Sequence, residues 1–302
     1  MWFWLSIAAL ICWSGSDLFS KIGCKEKDDK LSHLKMVTAV GIVMGLHCAY
    51  EVFIGGTELN MHVIVTYLPV SALYIGSMAI GYLGLRYIEL SISSPICNSS
   101  GALVAILTLI TAGRGEVNNA QIAAVILVCL GVIGLGVVEA TEDDELRLAR
   151  QQKGNHIYTK SILALAIPVI YCLLDALGTF ADSIVLETLD ENSANAAYEL
   201  TFFVVGMVCL FYTTVIRRDK LVPKRELPKY IGACFETVGQ FAYIFAIGDS
   251  DHVMLAAPII SAYCVASVVW GRIFLKERLS WKHYAAIALV VIGIVIIGIY
   301  DV

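Results

Sequence analysis

The feature that most constrains this chain is a series of apolar runs, each about 20 residues long and separated by short polar segments. A helix of that length spans the roughly 30 Å hydrocarbon core of a bilayer. The runs cover about 2–22, 35–54, 63–85, 92–112, 119–138, 161–186, 196–216, 229–247, 252–274 and 282–300. Of the 302 residues 58% are hydrophobic and only 16% are charged, which excludes an ordinary soluble domain. The sequence predicts an all-α polytopic membrane protein with ten transmembrane helices.

The N-terminal segment MWFWLSIAALICWSGSDLFSKIG has no basic residue before its apolar run, so we expect a retained first helix and not a cleaved signal peptide. The nine cysteines include no CxxC pair and fall inside apolar runs. They are typical of small hydrophobic core residues, and we expect neither a disulfide framework, a metal site nor a cofactor.

Two halves of the chain resemble each other. The charged stretch TEDDELRLARQQKGNHIYTK separates five apolar runs from five others. Aligning ICWSGSDLFSK with IYCLLDALGT places Asp17 on Asp175. An odd number of helices per half inserts the copies in opposite orientations, as in many secondary transporters. We therefore expect two inverted five-helix repeats around a central cavity, with the first repeat at 1–140, a charged cytosolic linker at 141–158 and the second repeat at 159–302.

Each half also ends in a similar motif. A proline near the start of an apolar run is followed about 20 residues later by a glutamate and then by a glycine-punctuated helix. The second copy comprises Pro258, Glu277, Arg278, Leu279, Gly293 and Gly298, and the first comprises Pro95, Gly115, Glu116 and Val117. The first copy lacks the Arg-Leu pair after its glutamate. The pattern resembles the EamA-type drug/metabolite transporter superfamily, and this resemblance implies ten helices around a central cavity and carrier activity on small organic metabolites.

The distribution of basic residues predicts the orientation. Of the 21 Lys and Arg residues, 20 fall in or beside the loops that join helices 1–2, 3–4, 5–6, 7–8 and 9–10. Cytosolic loops carry the excess of Lys and Arg in membrane proteins. We expect these five loops in the cytosol and both termini outside, in a multi-pass protein of the cell membrane.

Acidic residues inside the apolar runs are the main candidates for function, because a charge near a helix centre costs at least about 2.5–3.5 kcal/mol on insertion scales. Asp17 has Lys21 four residues later on the same helix face, so a local ion pair is as consistent with the sequence as a site role. Asp175 has Thr179 at that position and no cation. Asp182 shares a face with Asp175 and lies closer to the outer end, where we expect it to be wet and to line the approach to the site.

Glu236 is central in its run and is followed on one stripe by Gln240 and Tyr243. The further polar and aromatic candidates for the cavity wall are Tyr74, Asn98 and Tyr263. Carboxylates with aromatic faces are what an organic cation requires. No unpaired Lys or Arg lies deep in the runs, which disfavours an anionic substrate.

Pro95 and Pro258 permit two interpretations. A proline at the first helical turn costs little and simply begins the helix. Alternatively, each proline marks a discontinuous helix or hinge beside the site. We expect both prolines in the first turn.

Glycines in the runs predict close helix packing, among them Gly41, Gly76, Gly131 and Gly134.

These patterns favour a secondary carrier for a small neutral or cationic organic metabolite, such as an amine or amino acid. Asp175 and Glu236 would bind substrate or exchange protons. The expected partners are the lipid bilayer, the small-molecule substrate and protons as a candidate coupling ion, with no nucleic acid. A channel or a non-transporting scaffold is the alternative. A lipid enzyme is disfavoured because the sequence has no HExxH or GxSxG motif and no convincing cluster among its six histidines.

Overall fold

The computed structural model describes residues 1–24, 29–87, 90–111, 113, 117–141, 162–274 and 280–300. The described residues form helices and connecting turns. The helices are α1 (Trp2–Cys24), α2 (Ser32–Tyr50), α3 (Met61–Tyr87), α4 (Leu90–Cys97), α5 (Ser100–Thr111), α6 (Asn119–Ala140), α7 (Ile162–Val185), α8 (Glu191–Phe211), α9 (Pro223–Ile247), α10 (Val253–Ser261), α11 (Tyr263–Phe274) and α12 (Trp281–Tyr300). Short π-helical turns at Glu51–Gly55 and Tyr212–Ile216 extend α2 and α8.

The predicted fold class is confirmed. Within the described ranges, nine helical segments are long and apolar enough to cross a membrane, and α10 and α11 together form one of them. The remaining predicted run corresponds to α4 followed by α5, which is apolar but interrupted. Large apolar side chains point outward on many of these helices, as the lipid-facing surface of a polytopic membrane protein requires.

The helices pack in pairs that join the two halves of the chain. α1 packs along α9, α2 along α8, α3 along α7 and α6 along α12, while α5 and α4 pack against α10 and α11. The pairs are symmetric between the halves. The α1–α9 pair corresponds to the α7–α3 pair, while α2–α8 and α6–α12 each join a helix to its own equivalent in the other half. The pairing supports the predicted two repeats, although the boundaries 1–140 and 159–302 stay a prediction. Most of the linker, 142–158, lies outside the described residues, as do Glu116, Glu277, Arg278 and Leu279 of the family motif.

Two of these pairs meet at glycines. The α2–α8 contact is so close that a Cβ added to Gly41 would lie 2.7 Å from the Phe202 carbonyl oxygen and 2.9 Å from the Gly206 Cα. In the α6–α12 pair, a Cβ on Gly131 would lie 2.9 Å from the carbonyl oxygen of Ala286. The packing role predicted for glycines fails at two positions where a Cβ would meet nothing within 4 Å, namely Gly76 and Gly134.

The prolines of the two motif copies do not lie in the first helical turn, which corrects that prediction. Pro95 is the sixth residue of the eight-residue α4, and Pro258 is the sixth residue of the nine-residue α10. Each short helix ends soon after its proline, and a 12-residue helix follows. Bonds of the 3₁₀ type carry the chain through the breaks, from Ser99 N to Ile96 O and from Ala262 N to Ile259 O. Such turns within a span often mark hinges.

Candidate functional site

A central cavity of about 80 Å³ lies among helices of both halves. A cavity of this size holds roughly six water molecules or one small organic molecule, because a water needs on the order of 10–15 Å³ by this measure. Its wall comprises Trp13, Ser16, Asp17, Ser20, Tyr74, Met78, Gly81, Tyr82, Leu85, Ser93, Ser94, Cys97, Asn98, Gly101, Val104, Tyr171, Asp175, Thr179, Tyr198, Glu236, Gln240, Tyr243, Ala257, Ile260, Ser261 and Tyr263. The cavity therefore contains eight of the nine polar and aromatic site candidates, and only Asp182 is missing.

Asp17 lines the cavity and does not pair with Lys21. Its Oδ2 accepts hydrogen bonds from Ser94 on α4 at 2.7 Å and from Ser267 on α11 at 3.0 Å. Lys21 Nζ instead donates to the carbonyl oxygen of Leu85 at 2.7 Å. The local ion pair left open by the sequence is therefore not the arrangement in the structure, because tertiary neighbours provide partners for both groups.

Asp175 has an equivalent environment in the other half. Its Oδ2 accepts a hydrogen bond from Ser100 at 2.7 Å, the first residue of α5. Ser94 and Ser100 lie on opposite sides of the break between α4 and α5. The interrupted helix is thus attached to Asp17 by the segment before its break and to Asp175 by the segment after it.

Glu236 is the third carboxylate of the cavity wall, on α9, and the Ser16 side chain lies close to it. Asp17 and Asp175 are each close enough to Glu236 to interact with it electrostatically. The described residues of the wall include no Lys, Arg or His. The wall accordingly provides negative charge without a protein counter-charge, which is the arrangement expected for binding a cation.

Aromatic side chains cover much of the remaining wall. Seven aromatic residues line it: Trp13, Tyr74, Tyr82, Tyr171, Tyr198, Tyr243 and Tyr263. The indole of Trp13 lies with its ring centroid 5.1 Å from that of Tyr243 and 5.8 Å from that of Tyr263. Tyr198 was not among the sequence candidates, because it stands near the start of its apolar run, where the pattern does not distinguish a cavity residue from a packing residue.

Asp182 is not at a wet outer mouth, which corrects the prediction that it lines the approach. The residue is fully buried. Its Oδ1 accepts a hydrogen bond from the Tyr67 hydroxyl on α3 at 2.7 Å. It shares a helix face with Asp175, as its spacing requires, but α3 and its tyrosines cover it. Sequence position indicated nearness to a helix end and could not show this cover.

Several polar atoms of the wall have no hydrogen-bond partner among the described residues. They are Trp13 Nε1, Ser20 Oγ, Tyr82 OH and Gln240 Nε2. Buried polar groups in native proteins are almost always satisfied, so such atoms in one cavity indicate a ligand or ordered water. The Asn98 amide, in contrast, is occupied, because Nδ2 donates to the carbonyl oxygen of Ser94 at 2.7 Å.

The two serines that bind Asp17, Ser94 and Ser267, were not predicted. Ser94, Ser100 and Ser267 are small residues within apolar segments, where a serine can equally hydrogen-bond its own helix backbone. Pro95 and Asn98 identified the region, but only the tertiary contacts identified which hydroxyls face a carboxylate.

Charged side chains also cluster outside the cavity, at both ends of α2. At the predicted cytosolic end, Lys35 contacts Asp29 at 3.0 Å and Asp219 at 3.1 Å, and Lys229 contacts Glu226 at 3.1 Å. At the other end of α2, His47 Nδ1 lies 2.9 Å from the buried carboxylate of Glu199. No group of three His, Cys, Asp or Glu side chains among the described residues is arranged to hold a metal ion.

Comparison with known proteins agrees with this architecture. Residues 161–299 match the model of the EamA-like transporter family. Over 296 residues the chain is 23% identical to a protein of Archaeoglobus fulgidus named an uncharacterized transporter, with 97% of this chain and 96% of the relative covered. A protein of known crystal structure has the same fold, with a TM-score of 0.65 and 13% identity, covering 98% of this chain and 96% of that one.

The fold, the cavity and these matches define a multi-pass membrane transporter. The resemblance to the EamA-type drug/metabolite transporter superfamily inferred from the sequence motifs is confirmed, and the family model matches the second half of the chain.

Proposed function

We propose that the protein is a secondary active transporter of a small cationic or neutral organic metabolite, such as an amine or an amino acid. The observation that carries the proposal is the cavity wall, where Asp17, Asp175 and Glu236 meet seven aromatic residues, with no basic side chain among the described lining residues. Substrate and protons are the ligands that these carboxylates would exchange.

The electrostatics of the wall favour a positively charged substrate. Carboxylates away from bulk water repel one another, and a bound cation relieves that repulsion. An aromatic face adds cation–π attraction, which reaches about 2 kcal/mol when the pair is desolvated. A phosphorylated substrate would instead need Arg or Lys in the wall.

Alternating access would use the two halves as moving bodies. The carboxylates belong to α1, α7 and α9, and the serines that bind two of them belong to the interrupted helices. A substrate cation that competes for Asp17 and Asp175 would release Ser94 and Ser100 from these carboxylates. This exchange of partners would couple substrate binding to movement at the break between α4 and α5, with protons as the coupling ion. ATP has no binding motif in this chain.

A binding screen tests the proposal. The purified protein is heated in the presence of individual amines, amino acids and nucleosides, and a ligand raises the unfolding temperature by mass action. We expect a cationic hit whose effect is lost in Asp175→Asn and Glu236→Gln. Asp251→Asn is the matched control, because Asp251 is exposed and outside the cavity wall. Unaltered binding and transport in both cavity variants would contradict the site assignment.

Flux measurements in proteoliposomes distinguish a carrier from the alternatives. For a carrier, the flux of the hit compound saturates with its concentration and shows counterflow, because each transport cycle must first bind the compound at a limited number of sites. A channel gives flux that does not saturate, and a scaffold gives none. Either of those results with a compound that binds would reject secondary transport.

A further inference from the structure

Asp182 is a buried acid that the cavity does not use. It has no exposed surface, and Oδ2 accepts no hydrogen bond from the described residues. The polar groups close enough to interact with it electrostatically are tyrosine hydroxyls: Tyr67 and Tyr74 on α3, Tyr198 on α8 and Tyr243 on α9. No Lys, Arg or His among the described residues supplies a counter-charge to it. An unpaired carboxylate in this position is expensive, whereas a protonated carboxyl is not.

Tyr243, one of the tyrosines that interact with Asp182, begins a chain of hydroxyls that reaches the cavity. Tyr243 OH and Tyr74 OH are in hydrogen-bond contact, and Tyr74 OH donates to Thr179 Oγ1 at 2.9 Å. Because Tyr74 has a single hydroxyl proton and gives it to Thr179, Tyr243 is the donor in the Tyr74–Tyr243 bond. The Tyr243 oxygen thereby keeps a free lone pair, and Tyr243 is close enough to Asp182 to interact with it electrostatically. Thr179 lines the cavity and lies one helical turn beyond Asp175.

We propose that Asp182 binds the coupling proton and exchanges it with the cavity through Tyr243, Tyr74 and Thr179, while Asp17, Asp175 and Glu236 bind the substrate. This division of roles rests on the proposed function, because a coupling proton has meaning only for a secondary carrier. The two kinds of site are physically separate, since Asp182 is not part of the cavity wall.

The transfer conserves protons and charge. The Asp182 O–H bond breaks and its proton goes to the Tyr243 oxygen, while Tyr243 passes its own proton to Tyr74 and Tyr74 passes its proton to Thr179. Thr179 then releases one proton to a cavity water or carboxylate. Every hydroxyl ends neutral, and Asp182 ends as a carboxylate that Tyr67 continues to hydrogen-bond. Linked hydroxyls polarise one another in a medium of low dielectric, which favours such a relay.

Infrared spectroscopy of the reconstituted protein tests the proton site without any substrate. We expect a protonated-carboxyl C=O band near neutral pH that is absent in Asp182→Asn and retained in Asp175→Asn. Tyr67→Phe removes the hydrogen bond to Oδ1 and should move the band to higher frequency without abolishing it. This variant also covers the case in which Asp182→Asn fails to fold. The absence of any band that responds to substitution at Asp182 or Tyr67 would overturn the proposal.

Hydrogen–deuterium exchange of the same band tests the relay. Tyr243→Phe keeps the ring but removes the hydroxyl, and we expect exchange to slow by roughly a hundredfold, within the usual contribution of a positioned proton-transfer group. Tyr284→Phe is the control, because Tyr284 is exposed on α12, away from Asp182. Exchange in Tyr243→Phe at the wild-type rate would overturn the relay.

Transport assays then test coupling. With a compound from the binding screen, Asp182→Asn should retain counterflow in the absence of a pH gradient and lose accumulation driven by one, whereas Asp175→Asn should lose both. Gradient-driven accumulation by Asp182→Asn at the wild-type level would overturn the coupling role. Failure of the proposed function gives a different result, because wild-type protein would then bind and transport no compound while the infrared bands still report on Asp182.

Discussion

Asp17 and Lys21 stand four residues apart on one helix, yet their side chains bind different partners. Ser94 and Ser267 come from other helices and donate to the Asp17 carboxylate, while Lys21 reaches the Leu85 carbonyl oxygen. A charged hydrogen bond is worth roughly 1.5–3 kcal/mol. Two such bonds compete well with a single i,i+4 ion pair, which contributes only about 0.3–0.5 kcal/mol on a helix surface.

Substitutions at these two positions should therefore have different effects. Asp17→Asn removes a cavity charge and should weaken binding of a cationic substrate by at least about tenfold, equivalent to roughly 1.4 kcal/mol. Lys21→Met should leave the dissociation constant unchanged and lower the unfolding temperature. Titration calorimetry and thermal unfolding measure the two quantities. Equal losses of affinity in both variants would indicate that the two side chains act as a pair.

Lys229 is the most deeply buried cation of the cluster at the predicted cytosolic end, with no exposed surface. It contacts Glu226 at 3.1 Å and Asp29 at 3.5 Å. In Lys229→Met, Lys35 is the one cation among the described residues that still contacts these two acids. Loss of one partner in a buried ion pair costs about 3–5 kcal/mol of folding free energy. We expect a large drop in the unfolding temperature. Lys224→Met is the control, because Lys224 is exposed nearby, and a similar drop there would reject the explanation.

Helix pairs are held at distances that their glycines determine. The α2–α8 pair brings Gly41 and Gly206 into backbone contact, and a methyl group at either position would push against main-chain atoms that cannot move aside locally. In a bilayer, close packing of this kind replaces the hydrophobic effect as the force that associates helices. The interrupted helices approach as closely, since a Cβ on Gly101 would lie 2.6 Å from the Cβ of Ser261.

Gly41→Ala should destabilise the protein by about 1–3 kcal/mol, the usual cost of overpacking. Gly134→Ala should be neutral or stabilising, because its Cβ meets nothing within 4 Å and alanine favours a helix by up to about 1 kcal/mol. Unfolding of both variants in the same detergent compares them. A stable Gly41→Ala variant would show that α2 and α8 separate easily.

At the scale of the whole molecule, the pairing of helices between halves is what creates one shared cavity. Each half contributes acids to its wall, with Asp17 from the first half and Asp175 and Glu236 from the second. A single half would expose these side chains to lipid, where they could not remain charged. Folding and site formation therefore depend on the same contacts between halves.

The orientation predicted from the basic residues can be tested on intact cells with a membrane-impermeant maleimide. Lys220→Cys, in the loop predicted to be cytosolic, should react only after permeabilisation, and Asp251→Cys should react from outside. Both positions are exposed. The wild-type chain is the control for its nine native cysteines. If Lys220→Cys reacted from outside and Asp251→Cys did not, the protein would have the opposite orientation to the predicted one.

Much of the fold was predictable, because the length of each apolar run reflects the thickness of the bilayer. The acids were predictable for a related reason, since a carboxyl in an apolar span needs a special environment. The positions of the prolines within α4 and α10 were wrongly predicted, because a span can continue past a proline when neighbouring helices accommodate the disrupted backbone. The wet environment assigned to Asp182 was also wrong, since its cover comes from α3.

The sequence by itself determined the number of membrane-crossing segments, their approximate bounds and the short set of buried acids, because these follow from local hydrophobicity and the cost of charge in lipid. Only the tertiary structure decided what each acid faces. Asp17, Asp175 and Asp182 have similar sequence surroundings, yet two meet serines at a cavity and the third meets a tyrosine in a sealed environment. The partner of each acid lies on another helix, so it depends on how the two halves pack together. The sequence of a single segment does not show which helices will pack against it.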